Sequence, residues 1–467
     1  MDPIANPLVR QVTVDPELID ELKQHDTSAA RPEVSSETKR EEKLPTAELN
    51  VEAQDVVIDP EEVFPEGGLR AWLVVLGAFL CLFPSFGFMV SIGTVQDYLN
   101  QNQLSEYSSR DVGWIPSVFV YLALGLGIWV GPLFDRYGAR YIALIGTSGY
   151  IVMMFLLAEC RSYYQFMLCL GVLGGITGAL LTTTSLACVA HWFKRRRGFT
   201  QGLAMAGSSF GGLSIPLILR TTFPKYGYQW SIRILAFTFM GSFVLSNLLM
   251  KSRIPFNKNA KKQPIISISL FGDLRFVFLT IAIFCFEVVL FGALGIVPTY
   301  ATLSTDFPAD TGFYLISVLN GVSSVARFLC GYISDKVGRF NTFLVSAVFT
   351  LLAMLVIWLP FGQTHLGALY AFIAIFGFCT GCWMALAPAC IGQLCRAEHF
   401  GRYYGSCYFI ASLATLVCIP ISGELVEAVG PTSMVGFYCA MNALGLVTFA
   451  ASRWACLGWK WDWTTVI

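Results

Sequence analysis

Two ionisable side chains stand deep inside long apolar runs, and chemistry would be done there. Glu287 interrupts the run from Phe276 to Thr302, and Arg327 interrupts the run from Thr311 to Ser334. A charge held at the depth of a bilayer costs about 3 kcal/mol or more unless it is paired or faces a wet cavity, so each is a candidate functional group. The guanidinium of Arg327 has a planar fork suited to gripping a carboxylate or another anionic group as substrate anchor or gate. Its other reading is structural, as partner of a backbone carbonyl or of Glu287. The Glu287 carboxyl, near the middle of its run, can bind and release a proton, or can sit protonated and hydrogen-bonded inside a bundle. Asn320 lies seven residues before Arg327 on the same helical face and can both donate and accept. Phe86, Phe88, Trp114 and Trp383 are candidates for a pocket wall, and equally for packing or interface anchors.

A second constellation is a short charged turn. Gly131-Pro-Leu-Phe-Asp135-Arg136-Tyr-Gly138-Ala-Arg140 separates two apolar runs, and nearly half a chain later it returns as Gly331-Tyr-Ile-Ser-Asp335-Lys336-Val-Gly338-Arg339. Gly131/Gly331, Asp135/Asp335, Arg136/Lys336 and Gly138/Gly338 are in register. Such a repeat predicts two copies of one helix bundle. Glycine lets two helices and their connecting backbone approach closely, while Asp and Arg at a helix end can lock neighbouring termini through charge and dipole. The turns therefore read as breakable gating locks.

The elements that must position these groups follow from composition and charge. The 467 residues are 55% hydrophobic and 13% charged with no formal net charge, and the mean hydropathy is +0.61. A soluble chain of this length needs far more charge to cover its surface, so this is a polytopic membrane protein with the lipid bilayer as its solvent. Neutral balance argues against a nucleic-acid partner. The fourteen cysteines read as small buried hydrophobes, and His25, His191, His365 and His399 are isolated, so no metal site is expected. Nothing matches G-x-x-x-x-G-K-S/T and no catalytic constellation appears, which argues against an ATPase, an enzyme or a cofactor.

A membrane-spanning helix needs roughly 20 mostly apolar residues, so charges serve as rulers. The uncharged stretches from Arg70 to Asp97, Asp111 to Asp135, Arg140 to Glu159, Arg161 to Lys194, Arg197 to Arg220 and Arg233 to Lys251 make six spans. After the connector come Phe276 to Thr302, Thr311 to Ser334, Arg339 to Arg396 divided at Pro360–His365, Arg402 to Glu424, and Glu427 to Arg453. The fold class is thus an all-α membrane protein, twelve transmembrane helices in two six-helix pseudo-repeats. Residues 1–63 form a disordered tail, 64–250 the first bundle, 251–273 a connector, 274–453 the second bundle and 454–467 a second tail. The opening stretch is polar, so no cleavable leader is expected. Arg136, Arg140, the run Lys194–Arg197, Lys336, Arg339, Arg396 and Arg402 fall in loops of one side, and the positive-inside bias places that side and both termini in the cytoplasm.

The two turns closely resemble the loop signature of the major facilitator superfamily, G-x-L-x-D-r-x-G-r. Glu66-Gly67-Gly68-Leu69-Arg70-Ala71-Trp72 before the first span, and His191-Trp-Phe-Lys194-Arg195-Arg196-Arg197-Gly198 followed by Ala206-Gly207-Ser208-Ser209-Phe-Gly211-Gly212, are similar to its monocarboxylate transporter branch, most of all to the fungal MCH-type porters. The resemblance implies the major facilitator fold, alternating access about a central site and secondary active transport of an organic anion or other small organic metabolite. A monomer in the plasma membrane is the family-level expectation. Within that branch a first-helix lysine position falls on Val90, and an aspartate position four residues before Arg327 falls on Ser323. These departures weigh against proton-coupled lactate symport unless Glu287 supplies the proton site. They leave open a riboflavin-like porter, efflux of a fungal secondary metabolite or, remotely, a non-transporting membrane sensor that signals through its tail.

Overall fold

The chain reverses direction at glycines, prolines and clusters of charge, and between those points it is helical. The structure, a computed structural model, describes residues 66–253, 268–302, 307–308 and 311–460. The expected tail over 1–63, most of the connector and its lysines Lys258, Lys261 and Lys262 lie outside the described residues. Among the described residues there is no strand.

Helix α1 (Leu69–Val90) is broken at Ser91 and continues as a shorter helix, Ile92–Gln101. Then come α2 (Asp111–Tyr137), α3 (Ala139–Glu159) and α4 (Tyr163–Ala190). The next helical run, Arg197–Leu249, is 53 residues long, and Gly227 at φ 70° folds it into α5 (197–226) and α6 (228–249). Helices α7 (Leu274–Thr302), α8 (Thr311–Val337), α9 (Arg339–Phe361), α10 (Leu366–Ile391), α11 (Phe400–Ala428) and α12 (Pro431–Cys456) complete the chain. Among the described residues ten helices are long and apolar enough to cross a membrane. Counting the folded run twice and adding the 29-residue α11 makes twelve crossings. Gly138 (φ 74°) and Gly338 (φ 107°) carry the two charged turns in the left-handed region, where a side chain is strained.

Packing inside the first six helices is close. Ser242 and Ser246 of α6 donate to the Leu80 and Gly77 carbonyls of α1, each at 2.7 Å, and Phe88 meets Phe119 and Phe239 edge-on. In the last six, Phe343 stacks on Phe449 at 4.3 Å, and Trp383 packs on Phe286 at 4.7 Å between centroids. Phe86, Phe88 and Trp383 are therefore core, while Trp114 is exposed. Apolar side chains such as Ile145, Val152, Leu248, Phe349, Val356 and Val447 stand exposed on the flanks, the surface that hydrocarbon covers.

Candidate functional site: a sealed end, a polar seam and a distal cavity

The last turn of α2 carries Asp135, whose two carboxylate oxygens accept the backbone N–H groups of Gly401 (3.1 Å) and Arg402 (3.0 Å). Those are first-turn donors of α11. The last turn of α8 carries Asp335, whose oxygens accept from Gly198 and Phe199, both at 2.9 Å, in the first turn of α5. A helix N-terminus presents unbonded N–H groups and a partial positive charge, and a carboxylate satisfies both. Each of the first six and the last six helices thus caps one helix of the other.

Close approach makes these caps possible. Gly127 and Gly131 on α2 face Gly401 and Gly405 on α11, and a Cβ on Gly131 would run into the Gly401 carbonyl. Four-residue spacing of glycine on both helices is what lets membrane helices meet backbone to backbone. Gly331 on α8 lies likewise against Gly198 on α5. The motif's basic residues behave differently from one another. Arg136 lies over the Tyr137 ring and Lys336 over the Tyr332 ring, and Arg140 is exposed. Arg339 instead joins the seal, donating to the Lys194 carbonyl at 2.7 Å and to Asp335 Oδ1 at 3.3 Å.

The segment 194–199 is held from a third direction. The Glu66 carboxylate accepts the N–H groups of Lys194 (2.8 Å), Arg195 and Arg196 (3.2 Å). Buried Arg197 donates to the carbonyls of Phe193 and Ala190 at 3.2 Å and to that of Gly392. Capping contacts of this kind are worth about 1 kcal/mol. Glu66→Ala is accordingly expected to speed tryptic cleavage within 194–197 about fivefold at that energy. Cleavage at the wild-type rate would show that Glu66 holds nothing.

Above the seal runs a polar seam. Arg327 is buried, and its Nη1 donates to the Met205 carbonyl and the Ser208 hydroxyl of α5, while its Nε has no partner. Of its two structural readings, the geometry realises the backbone carbonyl. Ser209 Oγ lies 3.4 Å from Ser323 Oγ. Asn320 donates to the Ile316 carbonyl at 3.2 Å, and a Cβ on Gly212 would sit 2.9 Å from Asn320 Oδ1 and 2.7 Å from Val90. Val90 and Ser323, the two departures from the family pattern, therefore stand in the same seam as Arg327 and Asn320. Glu287 stands apart on α7, buried against Tyr408 of α11, with Oε2 unpartnered. Among the described residues no ion pair joins it to Arg327.

A cavity of about 380 Å³ occupies the other end, lined by residues of α1, α2, α5, α7, α8 and α11 far from the charged turns. Val90 reaches it, but Arg327, Glu287 and Asn320 are not in its wall; Ser317 and Phe291 lie about one turn closer to it than Asn320 and Glu287. Its one charged lining residue among those described is Asp97, accessible to water on the short helix after α1. In the sequence Asp97 marks only the end of a span. Among the described residues no group of His, Cys, Asp and Glu is placed to hold a metal. Cys379 and Cys382, three apart, are both buried within α10.

A model of the Major Facilitator Superfamily matches residues 74–417. The riboflavin transporter MCH5 of Saccharomyces cerevisiae is 33% identical over 424 residues, covering 86% of this chain and 81% of that protein. The fujikurins efflux protein of Gibberella fujikuroi is 31% identical over 425 residues, 90% of each. The aspyridones efflux protein apdF of Emericella nidulans is 33% identical, over 84% of this chain and 79% of that one. Among solved structures, the human organic anion transporter MFSD10 superimposes with a TM-score of 0.66 at 14% identity over 82% of this chain and all of that one, a likeness of fold. With its twelve helices, its paired charged turns and these relatives, the chain belongs to the major facilitator superfamily of membrane transporters, in the company of the fungal MCH-type porters.

Proposed function

We propose that the protein moves a small organic metabolite by alternating access driven by a gradient, and that the geometry described here is the state open away from the charged turns. The carrying observation is the pairing of a seal at one end, made by Asp135 and Asp335, with a 380 Å³ cavity at the other. Rocking the bundle 64–250 against the bundle 274–453, with 251–273 as the connector, breaks the seal and exposes the seam to the opposite side. In this reading, which the basic loops support, the sealed end and both termini lie in the cytoplasm of a cell whose plasma membrane the monomer spans. Gly131, Asp135, Gly331, Asp335 and Arg339 act as the gate, with Gly138 and Gly338 shaping its turns.

In this reading Arg327 and Asn320 meet substrate only when the seam parts, and Glu287, buried with an unpartnered oxygen, is the site for a coupling proton. A riboflavin transporter and efflux proteins among the relatives favour an organic metabolite larger than lactate. Efflux is the second reading, favoured by the two efflux relatives. The test is flux of labelled riboflavin and of labelled pyruvate in a transport-deficient host, with and without an inward proton gradient. Saturable, gradient-dependent movement of riboflavin in either direction is expected. Flux insensitive to any gradient would remove the secondary-active reading, and stimulation of pyruvate alone would return the substrate to monocarboxylates.

A further inference from the structure

We infer that the cavity opposite the charged turns is a binding site for an organic molecule that presents an ammonium or hydroxyl donor to Asp97 and an apolar body to the floor, and that it disfavours carboxylates. This rests on the transport reading above and names the substrate class of that same site.

At about 380 Å³ the cavity is within the range that small organic ligands fill. Its floor is apolar, formed by Val90, Val120, Pro216, Phe291, Leu294 and Ile316. Of the five hydroxyls among its described lining residues, three have already spent their protons on their own helices: Ser91 donates to Phe88 O at 3.1 Å, Ser117 to Gly113 O at 2.9 Å, and Thr415 to Ser412 O at 2.8 Å. What those three still present is acceptor lone pairs. Asp97 adds a carboxylate, an acceptor only, and no Lys, Arg or His stands among the described lining residues. Among the described residues no hydrogen bond or ion pair engages the Asp97 carboxylate. Gln96 and Asn100 flank it on the same short helix, and their amides can follow a ligand of either polarity. One free carboxylate beside three hydroxyls left with acceptor lone pairs favours a ligand's donors over an anion.

Although the Asp97 side chain reaches water, the protein around it raises its carboxyl above the ordinary value by partial desolvation, with no cation offsetting that shift. The cation that answers it stands instead in the seam, where Arg327 is shielded from the cavity by the turn bearing Asn320. Among the described residues an organic anion therefore finds no cation at this end.

The test uses the full-length protein in detergent and a matched series with one apolar body: 2-(1-naphthyl)ethylamine, 2-(1-naphthyl)ethanol and 1-naphthylacetate, with binding read by calorimetry at neutral pH. The amine is expected to bind at least about tenfold more tightly than the acetate, with the alcohol between, the size of effect a single partly desolvated charge pair gives. Asp97→Asn is expected to erase the amine's advantage and leave the alcohol within about twofold, and Asp97→Glu to keep the wild-type order. An acetate that binds as tightly as the amine, an order unchanged in Asp97→Asn, or no binding by any member would overturn the inference. The transport reading is judged separately by flux: gradient-dependent flux with a reversed binding order removes this inference alone, and the expected order without flux removes transport alone.

Discussion

Gly131→Ala is expected to hold the sealed end open and to lower flux at least about a hundredfold while the helices stay folded. A Cβ at this position meets the Gly401 carbonyl and its carbon, both backbone atoms that no rotamer change can move aside. Helix α2 must then stand off from α11, which carries Asp135 away from the Gly401 and Arg402 N–H groups it caps. Overpacking of this kind costs about 3 kcal/mol, and 1.4 kcal/mol is a factor of ten, so the sealed state loses about a hundredfold in population. The check is initial flux in proteoliposomes beside a circular-dichroism spectrum. Wild-type flux would mean that α2 and α11 do not need this contact at any point of the cycle.

Arg327→Ala is expected to abolish flux, again by about a hundredfold or more, with the protein still inserted in the membrane. The side chain is buried at the middle of α8, and its guanidinium ties α8 to the Met205 carbonyl and Ser208 hydroxyl of α5. Truncation removes both this bridge and, among the described residues, the one cation placed in the seam. Groups made to work in one state of a cycle have losses of this size when removed. Arg327→Lys keeps the charge but loses the planar fork, and should recover part of the flux. Near-normal flux in the alanine variant, at equal surface abundance, would remove Arg327 from the pathway.

The paired turns were legible because a charged motif that returns in register is visible in one sequence. Which terminus each Asp meets was not, since backbone N–H groups at a helix N-terminus leave no mark in side-chain types; Asp135 meets the start of α11 and Asp335 the start of α5, while Arg136 and Lys336 lie over tyrosine rings. Glu287 and Arg327 were found by the cost of burying charge, but that rule fixes depth and says nothing of which state exposes a group, and both lie beneath the cavity floor. Asp97 carries no such signal, because a carboxylate at the end of an apolar run is the ordinary sign of water. Arg197 and Arg453, used only as markers of side and span, are buried and bonded, Arg453 to Asn341 at 2.7 Å. The helix count survived because charge spacing reports length directly, even where Gly227 joins α5 and α6 into one run.

Two reciprocal carboxylate caps hold one end of this transporter closed. Spin labels placed at Arg136, after the α2 cap, and Glu398, before α11, are both exposed, and the native cysteines are buried or half-buried. Their distance distribution, measured by double electron–electron resonance in lipid, reports whether those caps keep that end closed. The wild type is expected to show a dominant short component. Asp135→Asn with Asp335→Asn, each removing about 1 kcal/mol of charge-assisted capping, should shift the equilibrium about thirtyfold and bring up a longer component. An identical distribution in the double variant would contradict the account.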